Sequence, residues 1–284
     1  MEFINKDSKI PESVSLILGY FDGIHLGHQN VIKSALGEKK VLVTFSSSPA
    51  EYFKKDYKQI YSREYNYKLA ETFGIDYVFE QEFSQIVNLS AEDYLDRLLN
   101  IFKPKYITTG FNHYFGKNRQ GSPQYLKDFQ TNFIYNCIEP TFIDNEIVSS
   151  TKIKEFLTKG NIKKANDFLT RNFTIESKVI EGVKLGRKLG FPTANMEYPK
   201  NIVKIPYGVY KVKTLNRVAI MNWGIKPTFK ADEVIEVHIP NFEGNLYEQE
   251  LKIEILDKIR DEIAFDSIED LKIQITKDIE ECLK

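Results

Sequence analysis

The stretch VSLILGYFDGIHLGHQNVIK, residues 14–33, predicts the start of the fold. An apolar run stops at Gly19 and a helix-like segment begins at His28, so the pattern indicates a strand, a tight loop and a helix N-terminus. Unpaired N–H groups at a helix start attract phosphate, and glycines let the backbone approach an anion closely. His25 and His28 can donate hydrogen bonds to phosphate oxygens. This arrangement is typical of a site that grips a nucleotide triphosphate while its α-phosphorus is attacked.

A simpler interpretation is that the two histidines occupy a turn and one of them caps the helix. The chain has only four histidines, however, and two of them fall in this one glycine-rich turn. Transfer of a nucleotidyl group needs positioning and charge stabilisation rather than a nucleophilic side chain. The residue types therefore favour a phosphate site.

Composition excludes several classes of protein. The 284 residues can hold two domains, and 39 Lys and Arg against 40 Asp and Glu leave no basic excess for nucleic acid. No N-terminal stretch has the form of a signal peptide and no run approaches ~20 apolar residues, so we expect no membrane span. Cys137 and Cys282 lack metal-ligand spacing and are interpreted as ordinary thiols of a reducing cytoplasm.

Residues 1–170 alternate strand-like and helix-like segments, which predicts a parallel doubly wound sheet with ligands at the carboxyl ends of its strands. Ser90 and Asp93 indicate a helix start, and an apolar stripe follows. The predicted strands are 14–19, 41–45, 77–79, 106–109 and 133–137, and the predicted helices are 28–36, 64–73, 90–102 and 122–130.

The pattern changes after about residue 172 to short β-rich segments separated by turn residues, which suggests a small antiparallel barrel. Asp266 or Ser267 is expected to cap a final helix with Ile268, Leu271, Ile275 and Ile279 on one face. The predicted domains are 1–170 and 171–284, joined through residues 158–172. The predicted strands of the second domain are 173–180, 208–213, 217–221, 234–239 and 250–255.

Two more segments of the first domain carry candidate ligand contacts. TGFNHYFG, residues 109–116, follows a strand and combines glycines with rings, as a loop that packs on a base or a flavin ring would; alternatively, it plugs the edge of the domain. SSTKIK, residues 149–154, opens a helix with hydroxyls and cations that suit a phosphate. Ser and Thr also serve as plain helix caps.

GVKLGRKLGFPTAN, residues 182–195, is the strongest signal of the second domain. Three glycines and a cation make a loop whose N–H groups can surround a phosphate. Thr193 and Asn195 supply neutral oxygens that suit Mg²⁺ held by ATP phosphates. The segment is no Walker A motif, since no Gly-Lys-Ser/Thr follows. The alternative is a basic hairpin loop.

VIEVHI, residues 234–239, alternates as a strand, with Glu236 and His238 on one face. A carboxylate on a barrel face near a phosphate loop is a candidate general base for a primary alcohol. A lone Glu on a strand more commonly belongs to a solvated face, and His238 is expected to be structural.

GYFDGIHLGH, residues 19–28, resembles the signature of the HxGH nucleotidyltransferases, and its Phe-Asp-Gly resembles the bacterial FAD synthetases in particular. Residues 110–116 resemble that family's Gly-x-Asp/Asn-Phe-x-Phe-Gly segment, and residues 182–195 resemble the riboflavin kinase signature. With these motifs in order, the chain is similar over nearly its whole length to the bacterial bifunctional riboflavin kinase/FAD synthetases, and the family match favours Glu236 as the base.

The resemblance implies two reactions. The C-terminal barrel would phosphorylate riboflavin with ATP to give FMN, and the N-terminal domain would adenylylate FMN with ATP to give FAD and pyrophosphate. Mg²⁺ would serve both, the partners would be these small molecules, the location would be cytoplasmic, and a homo-oligomer stays open. The candidate residues are His25, His28 and Glu236 for catalysis; Gly19, Phe21, Asp22, Gly23, Asn112, Ser150, Thr151 and Lys152 for ATP in the first domain; Gly182, Gly186, Arg187, Gly190 and Pro192 for ATP in the second; and Thr193 and Asn195 for the metal.

The chain departs from the family pattern in the first domain. FSSSP, residues 45–49, stands where the family commonly has Phe-Asp/Glu-Pro-His-Pro, and Lys152 and Lys154 stand where it has arginines. Lysine keeps the charge and loses the bidentate fork. These departures motivate an alternative, a riboflavin kinase whose N-terminal domain is degenerate and serves a structural or regulatory role. A non-catalytic flavin-nucleotide sensor is a third hypothesis.

Overall fold

The computed structural model describes residues 1–9, 13–53, 56–129, 133–182, 186, 189–225 and 233–283. The chain divides into two compact units, Met1–Ser150 and Thr151–Lys284. The two helices between residues 150 and 169 belong to the second unit in this division. The domain boundary at residue 170 stays a prediction.

The first unit is built on a parallel sheet, which confirms the predicted fold class. Its strand order is β1-β4-β3-β2-β5-β6, and every pairing is parallel. The strands are β1 (Glu2–Ile4), β2 (Ser15–Leu18), β3 (Lys40–Phe45), β4 (Tyr77–Gln81), β5 (Tyr106–Gly110) and β6 (Ile134–Ile138).

Helices cover both faces of this sheet because successive side chains of a buried strand point to opposite sides. Ile17 of β2 packs with Ile32 on one face, whereas its neighbours Leu16 and Leu18 pack with Leu95 on the other. The helices of the unit are α1 (Leu26–Lys33), α2 (Pro49–Phe53), α3 (Arg63–Thr72), α4 (Phe83–Ile86), α5 (Ala91–Phe102) and α6 (Pro123–Asp128).

Helix α5 forms as its sequence predicts. Ser90 Oγ accepts a hydrogen bond from the Asp93 N–H at 3.0 Å and donates one to the Asp93 carboxylate at 2.6 Å. The helix ends at a left-handed Lys103 before Pro104. Four residues of the predicted stripe are buried, namely Tyr94, Leu95, Leu98 and Phe102, and the fifth, Leu99, is half-buried. Ala91 is also buried.

The structure also contains short strands that the sequence pattern did not predict. Strand β1 adds three residues to one edge of the sheet, and β7 (Phe142–Ile143) pairs with β8 (Glu146–Ile147) in a small antiparallel hairpin. Two or three residues are too few for a hydrophobic period to appear.

The second unit contains a closed antiparallel barrel, as predicted, with the strand order β10-β13-β12-β11-β14-β9. Strand β10 falls inside the segment that the sequence indicated as a glycine loop, and its pairing with β9 and β13 closes the barrel. The strands are β9 (Phe173–Ile180), β10 (Thr193–Met196), β11 (Gly208–Thr214), β12 (Arg217–Ile225), β13 (Glu233–His238) and β14 (Glu250–Arg260), and the helices are α7 (Ser150–Thr158), α8 (Ile162–Leu169) and α9 (Ile268–Leu283).

Trp223, the only tryptophan of the chain, fills the barrel core. It is fully buried, its Nε1–H donates to the Ile205 carbonyl at 3.0 Å, and the rings of Tyr198 and Tyr207 pack on it. Its fluorescence therefore reports on the folding of the second unit alone.

Helix α9 corrects one expectation. Ser267 caps it through the Asp270 N–H at 3.1 Å, but Ile268 is 55% exposed rather than on a buried face. The fully buried positions of this helix are Asp278 and Cys282. The predicted apolar residues Leu271 and Ile275 border an open cavity, which is why they are only half-buried.

Replacing Ser90 by Ala is expected to destabilise the first unit by about 1 kcal/mol, because the Asp93 N–H loses its acceptor. The measurement is urea unfolding followed by far-UV circular dichroism. Trp223 fluorescence, which reports on the second unit, is the internal control and should show an unchanged midpoint. Equal shifts of both signals, or of neither, would contradict the capping role.

Candidate active sites

The turn between β2 and α1 is built from two consecutive left-handed residues. Gly23 has a φ of +88° and Ile24 a φ of +39°, a conformation that costs a β-branched residue energy. Surrounding bonds hold this turn: the Gly23 N–H donates to Asn66 Oδ1 at 2.8 Å, and Gln29 Nε2 donates to the Ile24 carbonyl at 3.0 Å. The turn held in this way brings the next residue, His25, to the N-cap position of α1.

His25 and His28 stack at the N-terminus of α1. His25 is the N-cap, and its Nδ1 accepts the His28 N–H at 3.3 Å. The neutral His25 ring therefore carries its proton on Nε2. The two rings lie 3.6 Å apart between centroids, and the Phe21 ring lies 4.7 Å from that of His28. The structure confirms that one histidine, His25, caps the helix, and this cap brings the two imidazoles together. Their contact with a phosphate stays a prediction.

The glycine between the histidines is explained by this packing. A Cβ on Gly27 would lie 3.3 Å from the His25 ring and 3.5 Å from the Val148 carbonyl oxygen. A side chain at this position would crowd the capping imidazole, and glycine avoids that contact.

Asp22 connects three segments of the first unit. Its Oδ1 accepts the Ile60 N–H at 2.8 Å and its Oδ2 accepts the Tyr57 hydroxyl at 3.1 Å, while its main-chain carbonyl accepts Ser150 Oγ at 2.8 Å. Its side chain is buried. Burial and this carboxylate raise the pKa of Tyr57, so its hydroxyl stays protonated and keeps donating.

The remaining first-domain candidates lie in different surroundings. Asn112 is exposed in the loop after β5, and its Oδ1 lies near Gly110. Thr151 and Lys152 belong to α7 in the second unit, where Lys152 Nζ lies 3.4 Å from a Glu155 carboxylate oxygen.

In the barrel, register places Glu236 between two amides. Glu236 of β13 is opposite Asn195 of β10 and opposite Asn222 of β12, so the three side chains share the face that is opposite the buried Ile235. Glu236 and Asn222 line a cavity of about 330 Å³ with Thr193. A carboxylate at the wall of such a cavity can accept a proton from a bound alcohol.

The glycines of residues 182–195 permit close approaches. A Cβ on Gly182 would lie 2.4 Å from the Asn195 side chain, and one on Gly186 would lie 2.4 Å from the Phe191 carbonyl oxygen. Gly190 has a φ of +95°. Pro192 precedes β10, and its carbonyl lies 2.9 Å from His238 Nδ1. Arg187 lies outside the described residues.

Thr193 and Asn195 are two residues apart on β10, so their side chains share one face. Both oxygens are neutral, and Mg²⁺ that also binds ATP phosphates needs few protein ligands. Among the described residues there is no group of three or more His, Cys, Asp or Glu side chains that could hold a metal. The donor set therefore fits a metal that arrives with the nucleotide.

Two family models match separate parts of the chain. One, described as FAD synthetase, matches residues 7–152, and the other, described as riboflavin kinase, matches residues 169–284. The bifunctional riboflavin kinase/FMN adenylyltransferase of Buchnera aphidicola subsp. Schizaphis graminum is 37% identical over 98% of this chain and 95% of its own length. This chain belongs to the bifunctional riboflavin kinase/FMN adenylyltransferase family.

Other comparisons agree on the extent of the match. The family member from Haemophilus influenzae is 33% identical over 98% of this chain and 96% of its own. A crystal structure described as a macrolide-efflux protein from Streptococcus pneumoniae has a TM-score of 0.89 and 27% identity, covering 98% of this chain and 97% of that one. Within the part of the chain described here, no helix is long and apolar enough to span a membrane.

The loop 110–116 departs from the family pattern at His113, where the riboflavin kinase/FMN adenylyltransferases commonly have Phe. Its Nε2 is buried and has no hydrogen-bond partner among the described residues, and its ring stacks on Phe115 at 5.7 Å. Burial lowers the pKa of His113 to about 4. The loop is anchored by Phe115, which is buried in the core, while Phe111 and Tyr114 stay exposed.

Ser46, Ser47 and Ser48 stand in place of Asp/Glu-Pro-His in the family's Phe-Asp/Glu-Pro-His-Pro segment, and Ser48 begins a helix. Ser48 Oγ accepts the Ala50 N–H at 3.1 Å, and the Ser48 carbonyl accepts the Glu51 N–H at 2.9 Å, at the beginning of α2. Ser46 Oγ is buried, and no hydrogen-bond partner for it exists in the described part of the chain. The Ser46 carbonyl accepts Arg63 Nη1 at 3.3 Å.

Several residues that build these sites were not found from the sequence. Tyr57, Ile60 and Asn66 hold the turn after β2 from 35 to 43 residues away, and Asn222 reaches Glu236 only through strand pairing. For Asn66, the available sequence signal was a polar residue on the apolar face of an amphipathic helix. No local sequence pattern marks Tyr57, Ile60 or Asn222 as part of a site.

Replacing Asp22 by Ala is expected to loosen the segment around Ile60, because the buried Ile60 N–H loses its acceptor, at a cost of about 1–3 kcal/mol. The measurement is hydrogen–deuterium exchange of a peptide covering residues 56–66. Asp22→Asn keeps an acceptor oxygen and is the matched control, with a smaller increase in exchange. Equal exchange in the two variants would contradict this role.

Replacing His113 by Phe is expected to make the stability of the first unit against unfolding less dependent on pH. The folded-state pKa of about 4 is below the ordinary 6.5, so the unfolded chain takes up the proton first and stability falls as the pH drops from 6.5 towards 4, by up to about 1.4 kcal/mol per pH unit. The His113→Phe variant lacks this loss.

The measurement is thermal unfolding by circular dichroism at about pH 7 and about pH 5, with Trp223 fluorescence as the control for the second unit. The midpoint of the first unit should fall further in the wild type than in the variant. Parallel falls in both proteins would show that His113 does not titrate as a buried group.

Proposed function

We propose that this chain phosphorylates riboflavin with ATP to give FMN and adenylylates FMN with ATP to give FAD and pyrophosphate. The observation that carries the proposal is that one chain contains a helix N-terminus with two stacked imidazoles and, separately, a barrel cavity lined by a carboxylate. Each arrangement suits one of the two reactions of the family. A cytoplasmic location and a homo-oligomer stay predictions.

In adenylyl transfer, an FMN phosphate oxygen bonds to the α-phosphorus of ATP, the bond from this phosphorus to the α–β bridging oxygen breaks, and pyrophosphate leaves. His25 and His28 would donate to the phosphate oxygens and balance their charge, supported by the N-terminus of α1.

The other first-domain residues receive distinct roles. Gly19, Phe21 and Gly23 would shape the phosphate loop, and Asn112 would contact the ligand from the loop after β5. The buried carboxylate of Asp22 already accepts two donors, so we assign Asp22 to positioning rather than to phosphate contact. The α7 start would add ATP phosphate contacts through Ser150, Thr151 and Lys152.

In phosphoryl transfer, the primary hydroxyl oxygen of riboflavin bonds to the γ-phosphorus of ATP, the bond to the β–γ bridging oxygen breaks, and ADP leaves. Glu236 would accept the hydroxyl proton, and its two amide neighbours Asn195 and Asn222 would hold its orientation.

The ATP phosphates would bind along the glycine loop, whose candidate contacts are Gly182, Gly186, Arg187, Gly190 and Pro192. Thr193 and Asn195 would hold Mg²⁺, which neutralises phosphate charge when bound.

The second candidate function is a riboflavin kinase with a degenerate first domain. The specific observation behind it is the Ser46–Ser48 segment, in which a family acidic residue and histidine are replaced by hydroxyls that cap a helix or are buried. Under this second function, the chain forms FMN but does not convert FMN to FAD.

The test is chromatography of the products formed by purified protein with riboflavin, ATP and Mg²⁺. We expect FAD from the wild type, FMN without FAD from His28→Ala, and neither product from Glu236→Ala, with losses of about 10²–10⁴ in rate. Each variant is the control for the other, because Glu236→Ala supplied with FMN should still form FAD.

If wild-type protein supplied with FMN and ATP forms no FAD, the adenylyltransferase activity is refuted and only the kinase activity remains. No FMN from riboflavin would refute the kinase. Unchanged products from His28→Ala or Glu236→Ala would refute the role of that residue.

A further inference from the structure

A buried ion pair lies in the wall of the barrel cavity. Arg260 Nε lies 3.1 Å from each carboxylate oxygen of Asp278, and Nη2 donates to Oδ2 at 2.7 Å. Gln274 Nε2 donates to the other oxygen at 2.8 Å. The Asp278 side chain is only 4% exposed and that of Arg260 is 18% exposed. The planar guanidinium fork therefore fixes the orientation of Asp278 as well as its distance.

Packing alone does not explain this pair. Moving two charges out of water costs energy, and apolar side chains of similar size commonly stabilise a fold as well or better. Helix α9 also packs through Ile279 and Cys282 against Val209 and Ile220 of the barrel. The apolar contacts hold α9 against the barrel, and the bidentate contact in addition fixes the orientation of α9 relative to the end of β14.

The two partners enclose the part of the chain that lines one side of the cavity. Arg260 ends β14 and Asp278 lies in the third turn of α9, eighteen residues later. Every residue that lines the cavity from this part of the chain lies at or between them: Arg260, Glu262, Ile263, Phe265, Leu271, Ile275 and Asp278. The pair joins the two ends of this wall.

The two sides of the cavity offer different groups. The barrel side carries the polar Thr193, Asn222 and Glu236, which the proposed phosphoryl transfer uses, together with apolar side chains such as Phe191 and Val209. Apart from Glu262, the wall between the ion-paired residues is apolar, with Phe265 and aliphatic side chains that suit the faces of a planar ring system. If the phosphates bind on the barrel side, the ring of riboflavin lies against this wall.

We propose that Arg260 and Asp278 are positioning residues that set the affinity for riboflavin by holding residues 261–277 in place as the ring-binding wall. This inference rests on the kinase function proposed above. In this scheme the pair contacts neither the ATP phosphates nor the transferred phosphoryl group, although it lines the same cavity as Gly186 and Thr193. Its loss therefore weakens riboflavin binding and leaves the chemical step and ATP binding intact.

The test compares Asp278→Asn, which keeps the size of the side chain and removes its charge, with wild-type protein. We expect the KM for riboflavin to rise about tenfold or more, and kcat and the KM for ATP to change by less than about threefold. Riboflavin binding without ATP, followed by quenching of the flavin fluorescence, should weaken by the same factor. Arg260→Lys keeps the charge without the fork and should give an intermediate value.

Lys163→Gln is the matched control, because Lys163 forms an exposed ion pair with Asp257 of the same strand β14 at 2.8 Å. It should leave all constants unchanged. Trp223 fluorescence verifies that the barrel of each variant is folded, and if Asp278→Asn does not fold, Arg260→Lys carries the test. An unchanged riboflavin KM in folded variants, or a fall in kcat with both KM values unchanged, would overturn the inference.

The outcomes also separate this inference from the kinase assignment. Wild-type protein that binds riboflavin and forms no FMN would refute the kinase, while the binding measurement would still decide the role of the pair. Wild-type protein that does not bind riboflavin would overturn both.

Discussion

The first unit depends on a turn that must leave a central strand and start a helix within a few residues. Gly23 and Ile24 make this possible by taking left-handed backbone conformations in succession, and the cost at the β-branched Ile24 is offset by the complete burial of its side chain. Because the turn is fixed, His25 becomes the N-cap and its ring stacks on that of His28. The pairing of the two imidazoles at the start of α1 is thus a consequence of backbone geometry.

That turn is supported from a distance. Asp22 and Gly23 are bonded to Ile60 and Asn66, which flank the start of α3. The buried carboxylate accepts a backbone N–H and a hydroxyl, and these hydrogen bonds offset the cost of its burial. This gives Asp22 a reason to be acidic that is independent of any ligand, in contrast to the phosphate contact expected from the motif.

In the barrel, strand register positions the candidate catalytic residue. Closure by the short strand β10 aligns Asn195, Glu236 and Asn222 in one row across three strands, so a one-residue slip would turn Glu236 into the core. The ion pair of Arg260 and Asp278 then places α9 over the same face.

The first unit departs from the family pattern at His113 and Ser46. Both side chains bury a polar atom that has no hydrogen-bond partner among the described residues, and such burial costs stability.

The sequence by itself determined the order of the motifs, the parallel sheet, the barrel, and the start and buried face of α5, because each depends on neighbouring residues and on a local hydrophobic period. It also singled out His25, His28 and Glu236. The tertiary structure decided what lies around them: the bonds to Asp22, the partners of Glu236 across the strands, strand β10 inside a presumed loop, and the buried Asp278 in a helix whose Ile268 is exposed. These features depend on strand register and on contacts between residues far apart in the chain, and no local pattern encodes either.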